Sequence, residues 1–192
     1  CGMAVRAARG SRYVNAGTVE FLLDENDRFY FLEVNTRIQV EHTVTEMITG
    51  IDIVREQIRI AAGEPLSISQ KDVTFRGTAI ECRLNAEDPS MNFMPTNGTV
   101  SALHLPGGPG VRVDTHLFRG CEITPYYDPL LAKLIAHNTN RKGALTRMLR
   151  VLDETLVQGI ITNKELLIKL LKNEKFQEGN GDTSLVREVL TL

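Results

Sequence analysis

The amino-acid sequence predicts an α+β fold in two parts, a β-hairpin with helices followed by a small antiparallel sheet with further helices. Residues 17–23 and 28–35 are rich in aromatic and β-branched side chains and flank a polar turn, which predicts the hairpin. Residues 77–85 alternate between apolar and polar side chains, as a half-buried strand does. Apolar side chains then recur three and four positions apart over residues 145–156, which indicates a helix.

Predicted helices lie on both sides of the hairpin. Residues 1–9 place Met and Ala side chains on one stripe of a helix, and no capping residue precedes them. Because this helix is already under way at a first residue that is not Met, we expect the chain to begin inside a longer protein. After the hairpin a helical stretch ends near Gly50, and Asp52 is placed to cap an amphipathic helix that Gly63 closes.

A polar loop at residues 64–72 separates these elements from the rest of the chain. Loops of this composition run over the surface and commonly connect domains. We therefore expect a first domain over residues 1–75 and a second domain over residues 76–192.

The second domain is expected to contain an antiparallel sheet followed by helices. Besides residues 77–85, its strands are predicted at residues 98–105, 110–117 and 130–137. The helical periodicity includes Leu156 and continues to Gly159. Thr162 and Glu165 have the spacing of a capping box, which predicts another helix, and a last helix is expected at about residues 184–192.

Composition excludes several classes of function. The chain has 192 residues, 42% of them apolar, and a net charge of −2, without a basic block that would attract nucleic acid. No apolar run approaches the roughly 20 residues that a membrane helix needs. Cys1, Cys82 and Cys121 lie far apart without the paired spacing of a zinc site or disulfide framework, which favours a reducing, cytoplasmic setting.

Two glutamates on the arms of the hairpin form a candidate metal site. A register centred near Asn26 sets Glu20 and Glu33 almost directly opposite each other, so that their Cβ atoms are about 5 Å apart. Carboxylates held this close repel each other unless a cation lies between them, and hard oxygen ligands suit Mg2+. Asn35 points to the same face as Glu33 and supplies a further oxygen.

The segment after the second arm, residues 33–42, concentrates polar side chains that a purely structural loop does not need. Arg37 offers a planar fork of donors that suits bicarbonate, phosphate or a developing enolate. Glu41 accepts hydrogen bonds when ionised and is a candidate general base. His42 is a titratable neighbour, for which a structural role in supporting the loop is the favoured interpretation.

These residues lead to a specific resemblance. Glu33, Asn35 and Arg37, at alternate positions after a strand, are similar to the metal-binding end of the ATP-grasp ligases. The segments at residues 39–42, 44–46, 81–89 and 125–128 resemble the biotin carboxylases, and this similarity extends along the whole chain. It implies that residues 1–75 are the end of an ATP-grasp domain and residues 76–192 a biotin carboxylase C-terminal domain.

The resemblance implies roles for the hairpin and the segment after it. Glu20 and Glu33 would bind Mg2+ or Mn2+ and contact ATP, with Asn35 as an additional metal ligand. Carboxylation of biotin would use bicarbonate as the source of the carboxyl group.

Bicarbonate would be held by Arg37, Gln39 and the backbone of Val40, and Glu41 would deprotonate it for attack on the terminal phosphate of ATP. Arg37 would then stabilise the enolate of biotin, while Arg83 would hydrogen-bond its ureido oxygen.

The resemblance also implies partners for the full-length protein. They are a biotin carboxyl carrier protein or domain and a carboxyltransferase, with acetyl-CoA carboxylase of fatty acid biosynthesis as the preferred parent system. Thr43, where many of those subunits have Pro, leaves a pyruvate or propionyl-CoA carboxylase open. Arg112 and Asp128 match positions near a homodimer interface, although Pro109 stands where a Phe often packs across it.

Other functions remain open at this level. A ligase such as a carbamoyl-phosphate synthase shares the metal-binding pattern, although residues 39–42 and Arg83 argue against it. A non-catalytic interaction module would use the charged segment as a protein-binding surface. We expect this stretch alone to be inactive, because the resemblance places the lid and most nucleotide contacts in a preceding part of the family's sequence.

Overall fold

A computed structural model describes residues 2–190, and their contacts separate two units between Phe75 and Arg76. None of the helices formed by residues 2–190 combines the length and apolar character that crossing a membrane requires. The two units differ in architecture, and each follows from its own sequence pattern.

The first unit contains three helices, a hairpin and a short 3-10 turn. They are α1 (Gly2–Gly10), β1 (Thr18–Leu23), β2 (Phe29–Asn35), α2 (His42–Thr49), α3 (Ile53–Ala61) and the turn at Gln70–Asp72. The strands β1 and β2 pair antiparallel, which confirms the predicted hairpin. Part of the predicted initial helix lies at Cys1, outside the described residues.

The turn of the hairpin is built around one aspartate. Asp24 Oδ1 accepts the backbone N–H groups of Asn26 and Arg28, each at 2.9 Å, and Asp27 adopts a positive φ of 58°. The backbone hydrogen bond from Arg28, above all, lowers the pKa of Asp24. An aspartate that satisfies its own turn in this way explains why the polar residues at 24–27 reverse the chain.

The helix boundaries of this unit follow the predicted signals. Gly50 ends α2 with φ 73°, and its N–H donates to Glu46 O. Asp52 caps α3 by accepting the N–H of Arg55 at 2.8 Å. The apolar side of α3 is not buried in this unit, and Ile58 is among its exposed residues.

The second unit is built from short strands and four helices. Its elements are β3 (Thr78–Asn85), β4 (Glu87–Asp88), β5 (Met94–Pro95), β6 (Gly98–Thr99), β7 (Ala102–His104), β8 (Val111–Thr115), β9 (Glu122–Ile123), β10 (Leu130–Asn138), α4 (Arg141–Glu154), β11 (Leu156–Gln158), α5 (Lys164–Lys172), α6 (Glu174–Glu178) and α7 (Leu185–Leu190), with a 3-10 turn at Pro89–Met91. The largest sheet has the antiparallel order β3-β10-β8, and the pairs β4-β5, β6-β9 and β7-β11 form smaller sheets.

The core of this unit lies between the three-stranded sheet and α4. One face of β3 buries Ile80, Cys82 and Leu84, as the alternating pattern predicts. They join Leu134 of β10 and Met148 of α4 in one hydrophobic cluster. Burial raises the pKa of the Cys82 thiol to about 12, so this cysteine behaves as a small apolar side chain.

The predicted strand at residues 98–105 is wrong as a single element. The structure divides it into β6 and β7, which pair with β9 and β11 respectively. Between them, Val100 donates its N–H to Cys121 O and Ser101 donates to Gln158 O, each at 2.9 Å. The chain therefore changes partners in the middle of the run, because different distant segments supply the hydrogen-bond acceptors.

The predicted helix containing Leu156 ends earlier than expected. Thr155 takes an extended conformation at the C-cap of α4 and donates its hydroxyl to Val151 O at 2.7 Å. Leu156 then belongs to β11 and lies opposite His104. Pairing with β7 thus outweighs the local helical periodicity.

The predicted capping box at Thr162 is also corrected. Asn163, not Thr162, is the N-cap of α5, and its side chain makes no cap hydrogen bond. Its Oδ1 accepts the N–H of Asn85 at 2.9 Å, and its Nδ2 donates to Arg83 O at 3.1 Å. The last predicted helix is found as α7, and its final residues lie outside the described part of the chain.

Candidate functional site

A pair of opposed carboxylates lies on the hairpin. Glu20 of β1 and Glu33 of β2 are direct partners in the antiparallel register, and the register shifts immediately after Glu20. The predicted opposition of the two glutamates is therefore confirmed. This register shift changes the direction in which the neighbouring side chains of the hairpin point, and bulges of this kind are common beside functional sites.

Carboxamide groups contact both carboxylates. Asn35 Nδ2 donates to Glu20 Oε1 at 2.8 Å and to Glu33 Oε1 at 3.0 Å. Gln39 Nε2 donates to Glu20 Oε1 at 2.9 Å. These amide donors offset the repulsion between the two negative charges. From the sequence we expected a cation to offset this repulsion.

The donor set fits a hard divalent cation. Within residues 2–190 no group of three or more His, Cys, Asp or Glu side chains could hold a metal ion, so any site here consists of a carboxylate pair and an amide. Rotating the Asn35 carboxamide by half a turn would present its Oδ1 beside the two carboxylates. All ligands would then be oxygen atoms, the kind that Mg2+ prefers.

The predicted anion-binding residues line one cavity in the same unit. Arg37, Gln39 and Glu41 contribute to its wall, and its volume is about 410 Å3. The Arg37 side chain is exposed and uses one of its donors on Ile38 O, at 3.0 Å. Since Gln39 also bonds Glu20, the cavity and the carboxylate pair are connected through one side chain.

Glu41 occupies the N-cap position of α2. Its backbone has φ −78° and ψ 6°, and its side chain makes no cap hydrogen bond to the helix. Glu41 is one of the residues that line the cavity. Glu41 and Arg37 therefore line the same cavity.

Sequence reasoning did not foresee the network next to this cavity. His42 Nδ1 lies 2.7 Å from Gln39 O, and its Nε2 lies 3.9 Å from Glu46 Oε2. Glu46 is buried, and its other oxygen accepts the N–H of Ile53 at 2.7 Å. The spacing of four residues between His42 and Glu46 on one helix is the signal in the sequence that could have predicted this contact.

Arg83 lies on the polar face of β3 in the second unit. Its side chain is 50% exposed, and its Nε is 3.9 Å from Glu81 Oε1. Lys133 of β10 is its direct partner across the sheet. The predicted polar orientation is therefore confirmed, and the exposed guanidinium can still reach a small molecule.

The two residues predicted near a dimer interface lie at different points of the second unit. The guanidinium of Arg112 donates to both oxygens of Asp114 at 2.8 Å, and Lys133 lies 3.6 Å from the same carboxylate. The Arg112 hydrogen bonds, first of all, lower the pKa of Asp114. Asp128 accepts the N–H of Leu130 at 2.8 Å and so supports the start of β10.

Family comparisons match both units. The family model of the biotin carboxylase C-terminal domain matches residues 81–188. A model of the carbamoyl-phosphate synthase L chain, ATP binding domain, matches residues 2–69.

Individual relatives match almost the whole chain. A biotin carboxylase of Nostoc sp. is 50% identical over 97% of this chain and 42% of its own length. A pyruvate carboxylase subunit of Methanothermobacter thermautotrophicus is 49% identical over 96% of this chain and 38% of its own length. The chain thus spans about two fifths of the length of these relatives.

A solved structure has the same fold. It is the biotin carboxylase domain dimer of Hydrogenobacter thermophilus 2-oxoglutarate carboxylase in complex with MgADP, ADP and bicarbonate. It superposes with a TM-score of 0.95 at 48% identity, over 98% of this chain and 42% of that chain.

Proposed function

Because the chain belongs to the biotin carboxylase family, we propose that it is part of an enzyme that carboxylates biotin on a carrier protein with ATP and bicarbonate. The observation that carries this proposal is the grouping of Arg37, Gln39 and Glu41 around one cavity, which Gln39 joins to the opposed carboxylates. The first unit thus offers a fork of donors and a base in the segment after β2, and a place for a cation on the adjoining hairpin.

In the first step, Arg37, Gln39 and the backbone of Val40 bind the bicarbonate anion. The planar guanidinium matches the geometry of a carboxylate-like anion, and part of it is already oriented by Ile38 O. Glu41 accepts the bicarbonate proton, the resulting oxygen attacks the terminal phosphate of ATP, and the bond from that phosphate to ADP breaks, which gives carboxyphosphate and ADP. Carboxyphosphate decomposes to CO2 and phosphate, and the phosphate takes the proton from the ureido nitrogen of biotin. Arg37 remains in place to stabilise the enolate of biotin in the following step.

The carboxylate pair serves the nucleotide. Glu20 and Glu33, with the Oδ1 of Asn35, would hold Mg2+ or Mn2+ beside the phosphates of ATP. The ion would neutralise charge that develops on the phosphates during transfer. Binding of the ion requires the Asn35 carboxamide to rotate, so that its Oδ1 faces the ion in place of the Nδ2 that now donates to the carboxylates.

Biotin recognition is assigned to the second unit. Arg83 is half exposed and would donate to the ureido oxygen of biotin, while Glu81 orients its guanidinium. Arg112 and Asp128 are proposed to lie at a homodimer interface of the full-length protein.

The biotin carrier and a carboxyltransferase complete the proposed system. We retain acetyl-CoA, and hence fatty acid biosynthesis, as the proposed destination of the carboxyl group. Relatives named for 2-oxoglutarate and pyruvate are 50% and 49% identical, within the range of 48% to 56% found for those named biotin carboxylase, so assays with each acceptor must distinguish them. The free, buried Cys82 and Cys121 suit the reducing cytoplasm that we propose as its location.

The test is biotin-dependent release of phosphate from ATP by the full-length protein that carries this sequence. Arg37→Ala should lower turnover by a factor of about 100 to 1,000, as loss of one donor to a developing anion does. Arg37→Lys keeps the charge without the fork and should recover only part of the rate. Arg55→Ala, which removes an exposed arginine of α3, is the matched control.

Two outcomes would contradict the proposal. Near-normal turnover of Arg37→Ala would remove the central residue from the reaction. Wild-type protein without biotin-dependent phosphate release would favour the interaction-module alternative, in which Mg2+ and nucleotide also leave the NMR signals of Glu20 and Glu33 unchanged.

A further inference from the structure

An imidazole ring holds the peptide group between Gln39 and Val40. His42 Nδ1 lies 2.7 Å from Gln39 O, and the backbone N–H of His42 donates to the same oxygen at 3.3 Å. A carbonyl oxygen accepts hydrogen bonds but does not donate them, so the ring must carry a proton on Nδ1 to make this contact. The geometry therefore requires a proton on Nδ1.

The opposite edge of the ring faces a buried carboxylate. Nε2 lies 3.9 Å from Glu46 Oε2, and the two side chains are only 13% and 8% exposed. Glu46 is itself fixed, since its Oε1 accepts the N–H of Ile53 at the start of α3. The ring is thus hydrogen-bonded to the turn through Nδ1, while its Nε2 edge lies beside the Glu46 carboxylate at the junction of α2 and α3.

Fixing the carbonyl of Gln39 also fixes the N–H of Val40. Both groups belong to one planar peptide, and no cis peptide bond occurs among the described residues. In a trans peptide the C=O and N–H point in opposite directions, so a carbonyl directed at His42 turns the Val40 N–H away from the ring. The same turn presents the Gln39 side chain to Glu20.

We infer that His42 is a positioning residue that preorganises the Gln39–Val40 peptide for binding the bicarbonate anion. This inference rests on the proposed function, in which Gln39 and the Val40 backbone bind that anion. A peptide that is already oriented binds an anion without first losing rotational freedom, which lowers the Michaelis constant for the anion and not for the nucleotide.

Isosteric substitutions separate the two edges of the ring. In His42→Asn the side-chain amide nitrogen falls near the place of Nδ1 and can donate to Gln39 O. The longer side chain of His42→Gln places its amide near Nε2 and loses that bond. His42→Ala loses both contacts.

Steady-state assays of the full-length protein test the inference. His42→Ala and His42→Gln should each raise the KM for bicarbonate about tenfold, the effect of one hydrogen bond. The KM for ATP should stay within about twofold, and His42→Asn should restore most of the affinity for bicarbonate. His104→Gln, at an exposed position of β7, is the matched control.

The outcomes distinguish this inference from the proposed function. Wild-type KM values for bicarbonate in all three His42 variants would overturn it, as would a rise in the KM for ATP equal to that for bicarbonate. Failure of the proposed function looks different, because the wild-type protein itself would then release no phosphate in response to biotin.

The tautomer gives a second test that does not depend on activity. Long-range proton–nitrogen spectra of the full-length protein, at about pH 9 where an imidazole in water is neutral, should show the His42 proton on Nδ1. His137 is an internal control of opposite kind, because its Nε2 lies 2.7 Å from Arg76 O and must carry the proton. A His42 ring protonated at Nε2 would overturn the inference.

Discussion

The two units are stabilised in different ways. From Arg76 onward, apolar side chains are buried in clusters, one of which lies between the three-stranded sheet and α4. Among the described residues before that point, the buried ones are Thr43 and Glu46, which are both polar. Among residues 2–75 the most buried side chains are therefore polar and hydrogen-bonded, as Glu46 is, whereas from Arg76 onward most of them are apolar.

The cavity and the carboxylate pair belong to the unit with fewer buried apolar side chains. The cavity and the carboxylate pair lie where little apolar surface is buried, and hydrogen bonds between side chains hold them. Polar networks of this kind orient donors and acceptors, whereas an apolar core provides no direction. Substitutions of the same chemical type should therefore have different consequences in the two units.

The largest expected effect comes from removing a core leucine. Leu134→Ala empties a position of β10 that is 0% exposed and should cost about 2–5 kcal/mol. Leu22→Ala in β1 removes the same atoms from a side chain that is 58% exposed, with an expected cost of about 0.5 kcal/mol or less. Amide hydrogen exchange in each strand measures both losses. Equal losses of stability in the two variants would contradict the difference between the two units.

A smaller effect is expected from a buried carboxylate in the first unit. Glu46→Ala leaves the N–H of Ile53 without its acceptor and should destabilise the junction of α2 and α3 by about 1–3 kcal/mol. Faster hydrogen exchange at the start of α3 is the expected observation. Glu25→Ala, in the exposed turn of the hairpin, is the control. Unchanged protection in both variants would show that polar contacts do not hold this unit.

The smallest expected effect is the pH-dependent contribution of Asp114 to the stability of the second unit. Hydrogen bonds from Arg112 lower the folded-state pKa of Asp114, so its contribution to stability is present above the unfolded value of about 3.9. It is lost as the pH falls through the lower folded value. Asp114→Asn should therefore cost about 0.5–1 kcal/mol near neutral pH, a modest figure because solvent screens this pair, and nothing in strong acid. The free energy of unfolding of this variant and of the exposed Asp153→Asn variant, measured across a range of pH, tests this prediction.

An equal cost of Asp114→Asn at all pH values would contradict the ion-pair account. It would mean that the shape of the side chain, and not its charge, supports the β8 and β10 pair. A cost no greater than that of Asp153→Asn at neutral pH would mean that the pair contributes nothing measurable.

Local patterns predicted the hairpin well. Two β-rich runs and a polar turn with Asp24 at its start predicted the two strands and their pairing. The register that begins with Leu23 opposite Phe29 shifts by one residue between Phe21 and Glu20, and this shift places Glu33 opposite Glu20. The cap of α3 by Asp52 is equally local. Elements whose hydrogen bonds lie within a few residues are therefore visible in the sequence.

Elements that depend on distant partners were not visible. Residues 98–105 split because Cys121 and Gln158 supply acceptors on different sheets. Asn163 serves as an N-cap whose side chain binds β3 instead of its own helix. In the site, residue types predicted the carboxylate pair, but the donation from Asn35 and Gln39 depends on side-chain rotations that no spacing specifies.

The most direct test of the whole account compares one substitution from each unit in the full-length protein. Arg83→Ala should raise the KM for biotin about tenfold or more and leave the KM for MgATP unchanged, because a charged hydrogen bond to the ureido oxygen is lost. Glu33→Gln should do the reverse, since it weakens the proposed metal site beside the phosphates. Steady-state kinetics with both substrates varied would confirm the division of labour by this opposite pattern, and equal weakening of both substrates by either variant would contradict it.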